Sequence, residues 1–243
     1  MEWSRTLLQV ELIVIALMVL CVAGHKFGVL PFKLAFGAFA LALLLTVLLS
    51  LAAFVMIFIW MSIGGFKANA IAFAVPIVVG LLPVIVILSV LGAGRKAPRI
   101  HDISTRQDPI MEFQAAQALR KSSENSLKPA NARVLAAQYD YYHNVSTLVL
   151  KHESHKVFQQ IFTLVSDHGW RLSHVDEQAM NIEAVAETRL FGFKDDILIE
   201  VRELEGAVHV DMRSVSRVGV SDLGANAKRI EMFLLELGRA LEG

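Results

Sequence analysis

Residues 34–61 read LAFGAFALALLLTVLLSLAAFVMIFIWM, a run without one charged side chain. A helix of about 20 apolar residues crosses a bilayer core, so this run is a membrane span. It is longer than a perpendicular crossing requires, and we expect it to tilt or to end in the interface. Two further apolar runs flank it, from about Leu7 to Ala23 and from about Ala70 to Leu91. Residues 1–93 hold four basic and two acidic side chains, whereas residues 94–243 hold nineteen Lys/Arg and twenty-one Asp/Glu. The chain therefore divides into an α-helical membrane block of three spans and a soluble part. At roughly 150 residues, the soluble part is large enough for one domain with its own core.

The breaks between spans follow local chemistry. Gly24-His25-Lys26 and Pro31-Phe32-Lys33 bracket the first loop, and Gly64-Gly65-Phe66-Lys67 makes the second. Trp3 and Trp60 sit near span ends, where amphipathic rings favour the headgroup level. Pro76 and Pro83 should kink the third span, with the freed carbonyls satisfied by neighbouring helices. The first segment reads as a retained anchor: Glu2 and Glu11 suit a cleaved signal poorly, and Leu20 is too large to precede a lipoprotein cysteine at Cys21. Glu11 is the one acidic side chain near a span. We expect it at the interface, a few turns from the polar N-terminus, rather than at a functional depth. Gly37, Ala38 and Ala42 give the second span a face for close helix approach. A single cysteine excludes an intrachain disulfide and a cysteine-based metal site, and no disulfide-linked partner is expected.

The soluble part is nearly neutral and lacks the clustered positive surface that phosphate backbones require, so nucleic acid is not an expected partner. Arg95, Lys96 and Arg99 make a short basic juxtamembrane linker that can touch anionic lipid heads or simply stop the helix. Residues 94–150 read as this linker followed by an irregular and helical segment, with a turn at Asp108-Pro109, helical patterns near Met111–Lys121 and Asn131–Tyr142, and a tyrosine cluster. Residues 151–243 read as a regular α+β domain. Val157, Phe158, Ile161, Phe162 and Val165 recur at helical spacing and stop at Gly169. Alternating runs follow around Trp170–His174, Ile182–Glu187, Ile197–Arg202 and Val208–Arg213, and a last helix carries Ile230, Phe233, Leu234, Leu237 and Leu241. The connections are too short for helical crossovers, so the four strands should form an antiparallel sheet with two helices on one face. The other face carries Glu, His, Asp and Arg and should be solvated or bind something.

His152 and His155 lie three apart rather than the four of the metalloprotease helix, and further zinc ligands are missing, so we read a polar helix start and no metal site. Asp195 and Asp196 are adjacent in a strand and point to opposite faces, which makes joint ligation awkward. With Asp211 they form a candidate polar network. The stretch Val210–Asn226 is the densest polar run. There Arg213, Ser214, Ser216, Arg217, Ser221 and Asp222 form the candidate site for an anion or partner, with Ser221 or Asp222 as cap of the last helix. The competing reading pairs Arg213 and Arg217 with Asp195, Asp196 or Asp211 to fix the fold. No catalytic residue and no cofactor are assigned.

Several blocks in order carry a resemblance: Arg99-Ile100-His101-Asp102-Ile103-Ser104-Thr105, then Ile182–Thr188, Phe193–Asp196 and Val210–Asn226. Over about residues 98–241 the chain resembles the bacterial and plastid "domain of unknown function 1499" family, in its variant with three N-terminal spans. The resemblance implies no reaction, cofactor or catalytic residue. It implies an exported or lumen-side domain, because relatives often look exported or lipid-anchored. After Thr105 the chain reads Arg106-Gln107-Asp108-Pro109 and lacks the proline-rich continuation of the family.

Charge points the other way. Arg5 and Lys67 flank one side of the membrane, while Lys26, Lys33, Arg95, Lys96 and Arg99 flank the side of the domain, which the positive-inside rule makes cytoplasmic. We weight the resemblance more and expect a bacterial inner-membrane protein with a periplasmic domain. That domain should be a binding or scaffold module whose partners are the bilayer and an envelope protein, lipid or glycan. The alternatives are a metal-assisted or carboxylate-dependent hydrolase using Asp195, Asp196 and Asp211, and a regulatory domain of a small transport-related membrane block.

Overall fold

The computed structural model describes residues 2–62, 66–188 and 191–242. Two compact units emerge, one built on residues 1–93 with 189–192 and one on residues 94–188 and 193–243.

The first unit holds three long helices, α1 (Glu2–Lys26), α2 (Phe32–Ser62) and α3 (Phe66–Gly94). All three are long and apolar enough to cross a membrane. Each runs past the apolar stretch that defines it, because a helix satisfies its own backbone whether or not its ends lie in lipid. At 1.5 Å per residue α2 reaches about 45 Å, beyond the ~30 Å of a hydrocarbon core. Gly64 and Gly65, read as the second loop, lie outside the described residues. The buried stripe of α1 is Ser4, Glu11, Val14 and Met18, and that of α2 is Ala35, Thr46, Ser50 and Ala53. The buried side chains of α1 and α2 are thus mostly small or polar, while many exposed ones are large and apolar, a pattern that suits close helix approach in a bilayer. Glu11 is fully enclosed. Small side chains on α2 and α3, Ser50 and Gly80, leave room to enclose this carboxylate.

The second unit is a six-stranded antiparallel sheet with helices, not the four-stranded sheet expected. Its strands are β1 (Asp102–Ser104), β2 (Leu148–Leu150), β3 (Arg171–Asp176), β4 (Asn181–Glu187), β5 (Lys194–Leu204) and β6 (Ala207–Ser216). The order is β1-β6-β5-β4-β3, and β2 also pairs with β6. β1 and β2 share one edge, opposite residues 213–215 and 208–210 of β6. Three residues are too few to show alternation, which is why neither strand is legible as a period. The β5–β6 hairpin closes on Glu205 and Gly206, both at positive φ, the two-residue turn whose twist matches paired strands.

α6 (Ser154–Asp167) and α7 (Ala225–Glu242) cover one face. Their Val157, Phe158, Ile161, Ile230, Phe233 and Leu237 meet Ile182, Ala184, Ile197, Ile199, Val210 and Met212 in the main core. α5 (Ala132–Tyr141), capped by Asn131 accepting the Val134 N–H at 3.1 Å, adds Val134 and Ala137 to its margin. The helical pattern expected over Met111–Lys121 is realised only as α4 (Ala116–Leu119).

The opposite face corrects the second expectation. It is neither solvated nor open along its upper half: Glu183, Val185, Asp196, Leu198, Asp211, Arg213 and Val215 are all buried. Residues 105–128 fold across it, and Ala116, Leu127 and Val215 form a second small core beneath Phe113.

Candidate functional site

The charged side chains of this covered face pair in separate groups. Arg213 has no exposed surface. Its Nε and Nη2 donate to the two Asp102 carboxylate oxygens at 3.0 and 2.7 Å, the bidentate geometry a planar guanidinium favours. The remaining N–H groups reach the carbonyls of Met111 and, at 3.2 Å, Leu127, and Phe113 lies over the guanidinium at 5.3 Å. One arginine on β6 thus holds β1 and two points of the covering segment.

Four residues along, Arg217 donates to Asp196 at 3.0 and 2.7 Å and to the Leu119 carbonyl at 3.3 Å. Arg120 reaches the same carboxylate at 2.6 Å and the Val215 carbonyl at 2.8 Å. Burial pushes the Arg120 guanidinium below its ordinary value, and Asp196 opposes that shift. Glu183 accepts the N–H groups of Gln114, Ala115 and Ala116, the last at 2.8 Å, and so pins the start of α4. Asp211 takes the hydroxyls of Thr105 and Thr147 at 2.9 and 2.6 Å and the Arg202 guanidinium at 2.6 Å. Arg106 bridges Asp211 and Glu200.

The helix-covered face holds a different cluster. Ser214 donates to Asn226 at 2.7 Å, Asn226 donates to Ser216 at 2.9 Å, and Arg229 joins Ser214 to Asp195 at 2.9 and 2.6 Å. Asp222 accepts the N–H groups of Gly224 and Asn226 at 2.9 and 2.8 Å, and so satisfies a donor in the first turn of α7, although Gly224 is the residue that directly precedes the helix. Burial, first, and Asp195, more weakly, raise its carboxyl above the usual range against those two bonds. Ser221 accepts the Leu223 N–H at 3.2 Å.

The six residues read as one site are therefore divided by the sheet. Arg213 and Arg217 lie on one face, enclosed with carboxylates, while Ser214, Ser216 and Asp222 lie on the other. Asp195, Asp196 and Asp211 likewise point to three separate partner sets. Among the described residues no group of three or more His, Cys, Asp or Glu is placed to hold a metal ion. Sequence reasoning missed Asp102, Arg106, Arg120, Glu183 and Arg229 as members of these clusters. The signal was present in Val185, Leu198 and Val215, apolar residues at the parity assigned to the solvated face.

These polar blocks coincide with a family. Residues 102–237 match the model described as "Protein of unknown function (DUF1499)". The chain belongs to that family. No curated protein matches the chain. The DUF1499 region opens at β1 and closes within α7, so it contains every strand and every ion pair described above. Arg95, Lys96 and Arg99 precede the matched DUF1499 residues.

A second surface lies at that edge. The loop after β6 carries Val220 and Leu223, exposed at 63% and 40%. Leu223 packs so closely on Gly94 that a Cβ there would fall 2.4 Å from the leucine Cβ. The Asp222 N–H donates to the Ile100 carbonyl at 3.1 Å, so loop and linker are joined by backbone as well. Arg95, Lys96 and Arg99 are exposed beside it. Below the loop the Tyr142 phenol is buried without a hydrogen-bond partner, and burial pushes it up to about 12.

Proposed function

We propose that the chain is a bacterial inner-membrane protein whose DUF1499 domain is a binding module of the envelope, seated on anionic lipid headgroups through the rim of Arg95, Lys96, Arg99, Val220 and Leu223. The observation that carries this reading is the pairing of two exposed apolar side chains with three exposed cations on a backbone-linked rim. Arg95 follows Gly94, the last residue of α3, directly in the chain. Near an anionic surface each cation is worth about 1 kcal/mol. On this reading the linker charges serve lipid contact, which removes the force of the positive-inside count against a periplasmic domain. The arginines of β6 act as the frame that holds the covering segment, leaving the binding work to the surface.

The rim is tested in the full chain with Cys21→Ala and Val220→Cys, labelled with an environment-sensitive fluorophore and placed in nanodiscs. Emission should shift to the blue in phosphatidylglycerol-containing discs relative to phosphatidylcholine discs. The shift should shrink at high salt, where surface charges are screened, and in the Arg95→Gln/Lys96→Gln/Arg99→Gln variant. Equal emission in both lipids would refute the rim.

A further inference from the structure

The bundle of α1, α2 and α3 encloses a carboxylate that the domain does not explain. Glu11 has no exposed surface, and its Oε1 accepts a hydrogen bond from the Ser50 hydroxyl at 3.2 Å. Its Oε2 is buried without a hydrogen-bond partner. The third wall is Gly80: a Cβ there would lie 2.3 Å from Ser50 Oγ and 2.6 Å from Glu11 Oε1. Gly80 is the fifteenth of the 29 residues of α3, and Ser50 the nineteenth of the 31 of α2, so the carboxylate lies level with the middle of two spans.

Among the described residues of the three helices no opposite charge lies beside it. Residues 34–66 and 68–94 contain no ionisable side chain, which leaves α2 and α3 with Lys33 and Lys67 near their first turns. On α1 the other titratable groups are Glu2, Arg5, Cys21, His25 and Lys26, none within a helical turn of Glu11. Thr46, one turn from Ser50 and also buried, spends its hydroxyl on the Leu43 carbonyl at 2.7 Å. A hard metal cation asks for about six oxygens. One carboxylate and one hydroxyl are too few, whereas a proton needs a single oxygen. A carboxylate in hydrocarbon is costly and marks function by default.

We propose that Glu11 is an exchangeable proton site of the membrane block, with Ser50 orienting the carboxyl and Gly80 providing its space. The proton resides on the unpartnered Oε2 and leaves to water when the site opens, so the block senses or passes protons.

The test is reaction of the full chain in nanodiscs with dicyclohexylcarbodiimide, which partitions into bilayers. The protonated carboxyl adds across one C=N bond, its proton passing to nitrogen, and the acyl group then migrates from oxygen to nitrogen without a leaving group. Mass spectrometry should find the adduct on Glu11, falling roughly tenfold per pH unit above a midpoint and absent in Glu11→Gln. Ser50→Ala should move that midpoint while leaving the adduct in place. A water-soluble carbodiimide should leave Glu11 unmodified. Infrared difference spectra across the same pH range, parent minus Glu11→Gln, provide the second readout and should show a protonated-carboxyl band that bleaches as pH rises. No adduct at any pH, or an adduct and band that do not change with pH, would overturn the proposal and leave Glu11 as a fixed structural tie.

Discussion

Replacing Arg213 with alanine is expected to destabilise the soluble domain by about 3–5 kcal/mol, the range for removing one member of a buried ion pair. Three losses coincide. Asp102 keeps a buried charge with its guanidinium gone, the Met111 and Leu127 carbonyls lose their donor, and the space beneath Phe113 empties. A domain of this size has about 5–15 kcal/mol in total, so the loss is a large part of it. Urea unfolding of the full chain in detergent, followed by Trp170 fluorescence in a Trp3→Phe/Trp60→Phe background, should show the midpoint falling sharply. Adding Asp102→Asn should return part of the loss, because the orphaned charge is then removed. A variant as stable as the parent would mean that Arg213 does not hold the covering segment.

Asp196→Ala should cost a similar amount, about 3–5 kcal/mol, for a different reason. Here one carboxylate serves two guanidiniums, Arg120 and Arg217, and its removal leaves two buried cations facing each other. The damage should be local. Arg120 and Arg217 fasten residues 119–125 to the exit of β6, including the Asn125 N–H that donates to the Arg217 carbonyl at 2.7 Å. Trypsin should therefore cut after the exposed Lys121 faster in Asp196→Ala than in the parent, before global unfolding. Unchanged cleavage together with unchanged stability would contradict the shared-carboxylate arrangement.

Much of the architecture was legible because its periods are long. The three spans, the hairpin of β5 and β6 and the two amphipathic helices each repeat an apolar pattern over many residues. The ion-pair reading of Arg217 with Asp196 was also within reach, since both share a face by parity. What could not be read was anything determined across large sequence distance. β1 and β2 are strands only because β6 offers them an edge. Residues 105–128 have little period of their own: they are placed by Glu183, Arg213 and Arg217, which lie scores of residues later in the chain. The enclosure of Glu11 was out of reach for a related reason. Its distance from the N-terminus is visible in sequence, but the cleft that Gly80 opens beside Ser50 is not.

The proposed seating of the DUF1499 domain on the envelope side of the inner membrane is tested most directly by one labelling experiment. A single cysteine at the exposed Ser123, in a Cys21→Ala background, is exposed to a membrane-impermeant maleimide in intact spheroplasts, with lysed cells as the reactivity control. Labelling in intact spheroplasts is the expected result. Protection until lysis would contradict it and place the domain, with its basic linker, in the cytoplasm.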